Sequence, residues 1–258
     1  MSKLCLKDIP WETRNLGMPA YQLEGTIQNH QVVESILEKK HTQLKENFFV
    51  QLKVDTENIK EAIFSQEAGF KLIEMSICPF LDLNLISSKV ARDGIKSIYY
   101  VKPEKNLAFK NYCSPVEQLE SSMKSQMLEI SKETFSTDRF HMDPSCKKFV
   151  ADHRIALWVE LDLLKNYQNY CTYLMQNKTL IGFNIWNKES MILAGISQDF
   201  TGRGLGKSLY VQTILDGMSK GLKEISSSIS LNNIPVLNLY SKLGFSYRKP
   251  KYILHYWS

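Results

Sequence analysis

The stretch Phe200-Thr-Gly-Arg-Gly-Leu-Gly-Lys-Ser-Leu-Tyr210 places glycines at alternate positions, Gly202, Gly204 and Gly206, at the start of a helix-like run. An apolar segment with strand character, Met191-Ile-Leu-Ala-Gly-Ile196, comes just before it. Strand, glycine loop, helix is an arrangement that cradles a pyrophosphate. Glycine lets the backbone approach a ligand, and free N–H groups at the helix start point at the anion. Two nucleotide patterns fail here. A P-loop needs glycine where Thr201 stands, and a dinucleotide fingerprint needs it at Lys207 or Leu209. A glycine turn that caps a helix and binds nothing remains the alternative.

Further on, Asn233-Ile-Pro-Val-Leu-Asn-Leu-Tyr-Ser-Lys-Leu-Gly244-Phe245 reads as an asparagine, a short amphipathic helix, a tyrosine and a Gly-Phe exit. The ordered pair of segments resembles the GNAT superfamily of acetyl-CoA-dependent N-acyltransferases. That family's loop reads Gln/Arg-x-x-Gly-x-Gly/Ala, met here by Thr201-Gly-Arg-Gly204-Leu-Gly206, with Thr201 replacing the usual Gln or Arg. Asn233, Leu239, Tyr240, Gly244 and Phe245 meet the later motif, with Val236 where a small alanine is common.

The resemblance implies an α/β fold of the GNAT type, a mixed central sheet flanked by helices. It implies acetyl-CoA as cosubstrate, held by Ile196, Ser197, Thr201, Gly202, Arg203, Gly204, Leu205, Gly206, Lys207, Ser208 and Asn233. Tyr240 takes the role of general acid, with Asn233 beside it. The phenol is a weaker acid than a thiol by about 1.5 pKa units, so it must give its proton as the C–S bond breaks. The Arg203 side chain reads equally as a phosphate contact or a solvent-facing group. No convincing general base emerges; Glu189 reads as a surface residue.

Of the 258 residues, 43% are hydrophobic and 23% charged, the profile of an ordinary globular chain. No run of about 18 apolar residues suits a membrane, and the first residues lack a secretory apolar core. The net charge of +5 is spread along the chain, which argues against nucleic acid as a partner and suits an anionic small molecule. Five separated cysteines without a C-x-x-C pair read as reduced thiols in a cytoplasmic protein, and no metal-ligand spacing occurs. A homodimer stays open.

The first half echoes the second. Asn58-Ile-Lys-Glu-Ala-Ile-Phe-Ser-Gln-Glu-Ala-Gly69-Phe70 keeps the spacing of Asn233 to Phe245, but Ser65 stands where Tyr240 does. No glycine loop precedes it. The expectation is a degenerate GNAT-like domain over residues 1–110 without a CoA site, and a catalytic domain over 111–258. Chance is the competing explanation, since an asparagine-capped helix ending at glycine is common. Periodicity predicts strands at 20–24, 47–54 and 71–84, and helices at 31–43, 115–131 and 147–165. Strands follow at 170–177, 180–187, 190–197, 224–231 and 246–256. The helix after the glycine loop is predicted to stop at Gly221.

Three segments bear on the acceptor: Ile9-Pro-Trp-Glu-Thr-Arg-Asn-Leu-Gly17, Asp138-Arg-Phe-His-Met-Asp-Pro144 and Ala156-Leu-Trp-Val159. With the duplicated halves and the Tyr256-Trp257 ending, they resemble the dTDP-fucosamine acetyltransferase type of GNAT. The acceptor this implies is a small-molecule amine on a dTDP-sugar. Arg139 would pair with its diphosphate or with a carboxylate, and His141 and Asp143 would hydrogen-bond sugar groups. The competing reading of that segment is a structural turn with an Arg139–Asp143 ion pair. Trp11 reads as core packing, and His255 as an ordinary residue without a partner. A different amine acceptor, or an acyl-CoA-binding regulator without turnover, are the other functions the residues allow.

Overall fold

The computed structural model describes residues 3–87, 110–135 and 138–258. The first half runs β1 (Cys5–Asp8), α1 (Pro10–Leu16), β2 (Ala20–Glu24), α2 (His30–Leu44), β3 (Phe49–Asp55), α3 (Ile59–Glu67) and β4 (Lys71–Asp82). The second begins β5 (Lys110–Pro115), α4 (Ser121–Thr134), α5 (Arg139–Met142) and α6 (Lys148–Trp158). It continues β6 (Tyr170–Gln176), β7 (Thr179–Trp186), β8 (Met191–Ile196), α7 (Leu205–Ser219), β9 (Glu224–Ser226), β10 (Ile229–Ser230), α8 (Ile234–Lys242) and β11 (Ser246–Trp257). Sequence reading missed β1 and α1, and gave one strand where β9 and β10 are separate. The junction expected within 85–112 lies largely outside the described residues.

Two sheets result. The larger has the order β1-β2-β3-β11-β4-β10, with β9 also on β4; the smaller is β5-β6-β7-β8. Among the described residues only the β2–β3 pair is parallel. The last strand of the chain therefore lies inside the sheet of the first half, antiparallel to β3 on one side and β4 on the other. The repeated segments explain the pairing. Helices α3 and α8 are both 9 residues long, Gly69 and Gly244 follow at φ 93° and 83°, and each leads into a 12-residue strand. Those two strands, β4 and β11, are neighbours.

Alternation sets the faces of the larger sheet. Val50, Leu52 and Val54 of β3 and Leu254 of β11 pack with Val33 and Leu37 of α2 and Ala62 of α3. The opposite face carries Lys53, Glu74, Lys251 and Ile253 towards the second half. In the smaller sheet, Phe183 and Ile185 of β7 pack with Met127 and Ile130 of α4 and Ile155 of α6. Helix α7 buries Tyr210 and Ile214 against Tyr240, Leu243 and Phe245. The halves are tied together by a buried ion pair. Arg154 of α6 gives two hydrogen bonds, 2.8 and 2.7 Å, to Glu12 of α1.

Candidate active site

The glycine loop lies where β8 and α7 meet. Gly202 and Gly204 have φ of 74° and 77°, a region that strongly favours glycine. Gly204 is the N-cap of α7 and brings no capping side chain. The first-turn N–H groups, including those of Leu205 and Gly206, thus face outward with the positive end of a 15-residue helix behind them. Lys207 N–H turns back to the Gly204 carbonyl at 3.1 Å.

A cavity of about 950 Å³ begins at this loop. It passes along β8 and reaches the exposed face of the larger sheet. β8 is an edge strand among the described residues: its inner edge pairs with β7, and its outer edge meets none of the described strands. Contact across the gap is confined to one end, where Ser226 and Ser227 hydroxyls donate to the Glu189 and Met191 carbonyls at 3.0 and 2.9 Å. The gap is therefore pinned at Met191, and at its other end the Ile196 carbonyl accepts from the Thr134 hydroxyl of α4 at 3.2 Å. Backbone donors and acceptors on that edge suit a pantetheine arm and a thioester carbonyl.

Of the residues expected to hold CoA, Ile196, Thr201, Gly202, Gly204, Leu205, Gly206 and Asn233 line the cavity. Ser197, Arg203, Lys207 and Ser208 are not part of its wall. The Ser197 N–H is spent on the Ile181 carbonyl at 2.9 Å. Arg203 folds over the Phe200 ring and donates to the Asp199 carbonyl at 2.8 Å. Asn233 Oδ1 accepts from Val236 N–H at 3.4 Å, so it caps α8.

Tyr240 is buried, 2% exposed. Its ring meets Tyr210 edge-on at 5.4 Å and Phe245 at 4.7 Å. It opens on a smaller pocket of about 130 Å³ that shares Tyr210, Met191, Ala194 and Asn233 with the large cavity. Burial, reinforced by the Tyr210 phenol, raises Tyr240 well above 10. Tyr210, which does line the large cavity, is pushed up to about 12 by burial.

The acceptor-side residues part company. Arg139 lines the cavity, and its ion-pair partner is Glu12 at 3.5 Å rather than Asp143. His141 does not line it: its two ring nitrogens are 3.0 Å from Asp138 and 3.0 Å from Asp152. Asp143 is 2% exposed and accepts from His255, Trp257 and the Ser145 N–H. It holds the end of β11, and His255 has a partner after all. Trp11 corrects the expectation of core packing, because it lines the cavity, stacked on Trp158 at 5.7 Å.

Sequence reading missed Lys53, Glu74 and Lys251 altogether. They lie on strands that read as ordinary amphipathic ones. Their shared location depends on β11 entering the first sheet, which no local pattern reveals. Among the described residues, no three His, Cys, Asp or Glu side chains gather as a metal site, and no helix is long and apolar enough to cross a membrane.

A functionally unknown protein from Staphylococcus epidermidis superposes over 99% of this chain and 91% of its own, with a TM-score of 0.64 at 9% identity. A GCN5-related N-acetyltransferase from Sphaerobacter thermophilus does so with a TM-score of 0.60 at 10% identity, over 98% of this chain and 75% of that one. A tandem GNAT protein from the clavulanic acid biosynthesis pathway matches with a TM-score of 0.58 at 11% identity, over 93% and 75%. The fold is that of the GNAT proteins. Its two-part arrangement is a tandem form of that fold. In sequence, 73 residues are 36% identical to a mycothiol acetyltransferase from Actinosynnema mirum, covering 26% of this chain. The match spans only 24% of that relative. No protein-family model matches the chain.

Proposed function

We propose that this protein transfers an acetyl group from acetyl-CoA to a primary amine, and that the amine belongs to a nucleotide-linked amino sugar. The observation that carries the reading is the open edge of β8. It runs from the uncapped start of α7 into the large cavity. The loop N–H groups of that helix start hold the pyrophosphate, and the β8 edge holds the pantetheine. Bound acetyl-CoA supplies an activated thioester. The GNAT fold and the partial likeness to a mycothiol acetyltransferase support the donor. The cations Arg139 and Lys53 and the Trp11–Trp158 stack support an anionic acceptor with a flat ring.

In this mechanism the amine nitrogen adds to the thioester carbonyl, forming the C–N bond and a tetrahedral oxyanion whose collapse breaks the C–S bond. Backbone N–H groups on the outer edge of β8 stabilise the oxyanion. Tyr240 gives its proton to the departing sulfur, and the surplus proton on nitrogen restores the phenol. With the phenol above 10 and a thiol near 8.5, transfer to a free thiolate is uphill by more than about 2 kcal/mol. The proton therefore moves together with C–S cleavage.

Calorimetric titration with acetyl-CoA and thiol release on adding dTDP-linked amino sugars test the proposal. Tyr240→Phe is expected to keep acetyl-CoA affinity and lose roughly 10²–10⁴-fold in kcat. Full turnover in that variant would remove Tyr240 from the chemistry. Thiol release with small amines or protein amino groups, and none with sugar nucleotides, moves the acceptor to those classes. Binding of acetyl-CoA without release to any amine leaves an acyl-CoA-binding regulator.

A further inference from the structure

The cavity wall opposite the glycine loop is a sheet face, and strand register sets its chemistry. Lys53 of β3 pairs with Ile253 of β11, and Ile253 pairs with Glu74 of β4. Register partners share a face, so Lys53 and Glu74 flank Ile253. Their backbones lie two strand spacings apart, about 10 Å. One step along, Lys251 stands between Asp55 and Ser76. All of these except Asp55 line the cavity.

Much of the charge around this face is already paired. Lys251 meets Asp55 at 3.0 Å. Arg154 is committed to Glu12. Asp138 caps α5 and meets His141. Lys53 and Glu74 are left facing the cavity, and Arg139 lines it beside them, its terminal nitrogen 3.5 Å from Glu12. Arg139 Nε and Glu74 Oε2 are buried without a hydrogen-bond partner. Such orphans are rare and costly, and two of opposite sign in one cavity point to a ligand that serves both. Lys53 lines the open cavity and is solvent-exposed there, with protein packed close by. Burial lowers it to about 8, and the neighbouring charges of Arg139 and Lys251 push it the same way. Burial raises Glu74. A ligand with an anion at Lys53 and a cation at Glu74 would relieve both.

We infer that the acceptor is an amine carrying its own anionic group, with the amine seated at Glu74 and the anion on Lys53 and Arg139, on either side of Ile253. This rests on the acetyl-transfer reading and adds the recognition chemistry to it. Glu74 takes one proton from the incoming ammonium, which leaves a neutral nitrogen to attack, and returns that proton to solvent. The anion is a carboxylate, as in an amino acid, or a phosphate, as in a sugar nucleotide.

Matched probes test this on the full chain: glucosamine against glucosamine 6-phosphate, alanine against alaninamide, and a dTDP-linked amino sugar against the free sugar. Binding is read by thermal shift with acetyl-CoA present, and turnover by thiol release. The anionic member of at least one pair is expected to bind roughly 10- to 100-fold more tightly. Response in the alanine pair alone identifies a carboxylate; response in the phosphate-bearing pairs alone identifies a phosphate. Lys53→Met abolishes the preference, and Lys53→Arg keeps it, with acetyl-CoA affinity unchanged in both. In Glu74→Gln, kcat falls and recovers as pH rises and the amine loses its proton unaided. Lys53, Arg139, Asp138 and Ser230 face Glu74 from β3, α5, its flank and β10, and they remain in place. Equal binding within every pair, or none, overturns the inference even where acetyl-CoA binds. Failure of acetyl-CoA to bind overturns the transferase reading instead.

Discussion

Asp143 shows how one carboxylate is used to fasten a strand. Inside the aromatic cluster of Phe49, Phe140 and Trp257, its Oδ2 accepts from His255 Nδ1–H and Trp257 Nε1–H, both at 2.7 Å. Its Oδ1 accepts from the Ser145 N–H at 2.9 Å. Burial alone would raise the acid, but these hydrogen bonds outweigh it and hold Asp143 below its usual value. On the other side of the imidazole, His255 Nε2 is buried without a partner. Protonation would create an N–H with no acceptor, and burial lowers His255 from 6.5 to about 4. Between those values the folded protein holds fewer protons than the unfolded chain, so this residue's share of stability declines as pH falls from 6.5 to 4. Nitrogen NMR at pH 6 should find His255 neutral with its proton on Nδ1; a doubly protonated ring there would contradict the arrangement. Asp143→Asn replaces acceptor capacity with a donor facing donors. Urea unfolding should show a loss of about 3 kcal/mol.

At the level of elements, the start of α7 depends on backbone shape. A Cβ on Gly204 would meet no atom within 4 Å, so the cost of Gly204→Ala is conformational. At φ 77° it amounts to about 1–2 kcal/mol. The same change reorients the N–H groups, and calorimetry should show acetyl-CoA binding weakened by roughly 10-fold. Gly182 differs: a Cβ there would approach the Gly195 carbonyl at 2.8 Å and press on Ile196, so Gly182→Ala should shift β8 itself. The glycine loop, α7, α8 and the repeated helix-Gly-Phe-strand unit were legible because each is a local pattern of caps, positive φ and periodicity. The β8 edge was only half legible. Its strand character shows in Met191–Ile196, whereas the partner it lacks is a matter of topology. Trp11 and Glu74 were illegible for a related reason. An apolar or amphipathic pattern gives the face of a residue but not what lies across from it. For His141 and Asp143, residue type suggested ligands, and the chain supplied internal partners first.

Across the whole molecule, β11 decides which parts fold together. It is the final strand of the half that carries the glycine loop, yet both its neighbours, β3 and β4, belong to the other half. Ile253 and Leu254 are 1% and 0% exposed within that sheet, each contributing about 1.5–3 kcal/mol of burial. The strand also pairs the backbone on both edges, which leaves β3 and β4 with unpaired edges if it is absent. A fragment of residues 110–258 would expose β11, and a fragment of residues 1–87 would lack the centre of its sheet. Neither is expected to give a cooperative unfolding transition alone. The intact chain should unfold as one unit, with tryptophan fluorescence and far-UV dichroism tracing the same curve in urea. Truncation after Phe245 tests this most directly, because it spares the loop, α7 and Tyr240. If a chain ending at Phe245 still bound acetyl-CoA and unfolded cooperatively, the donor site would not depend on the shared sheet. The expected result is loss of both, since removing β11 takes away Ile253 between Lys53 and Glu74 and the support on which the far wall of the cavity stands.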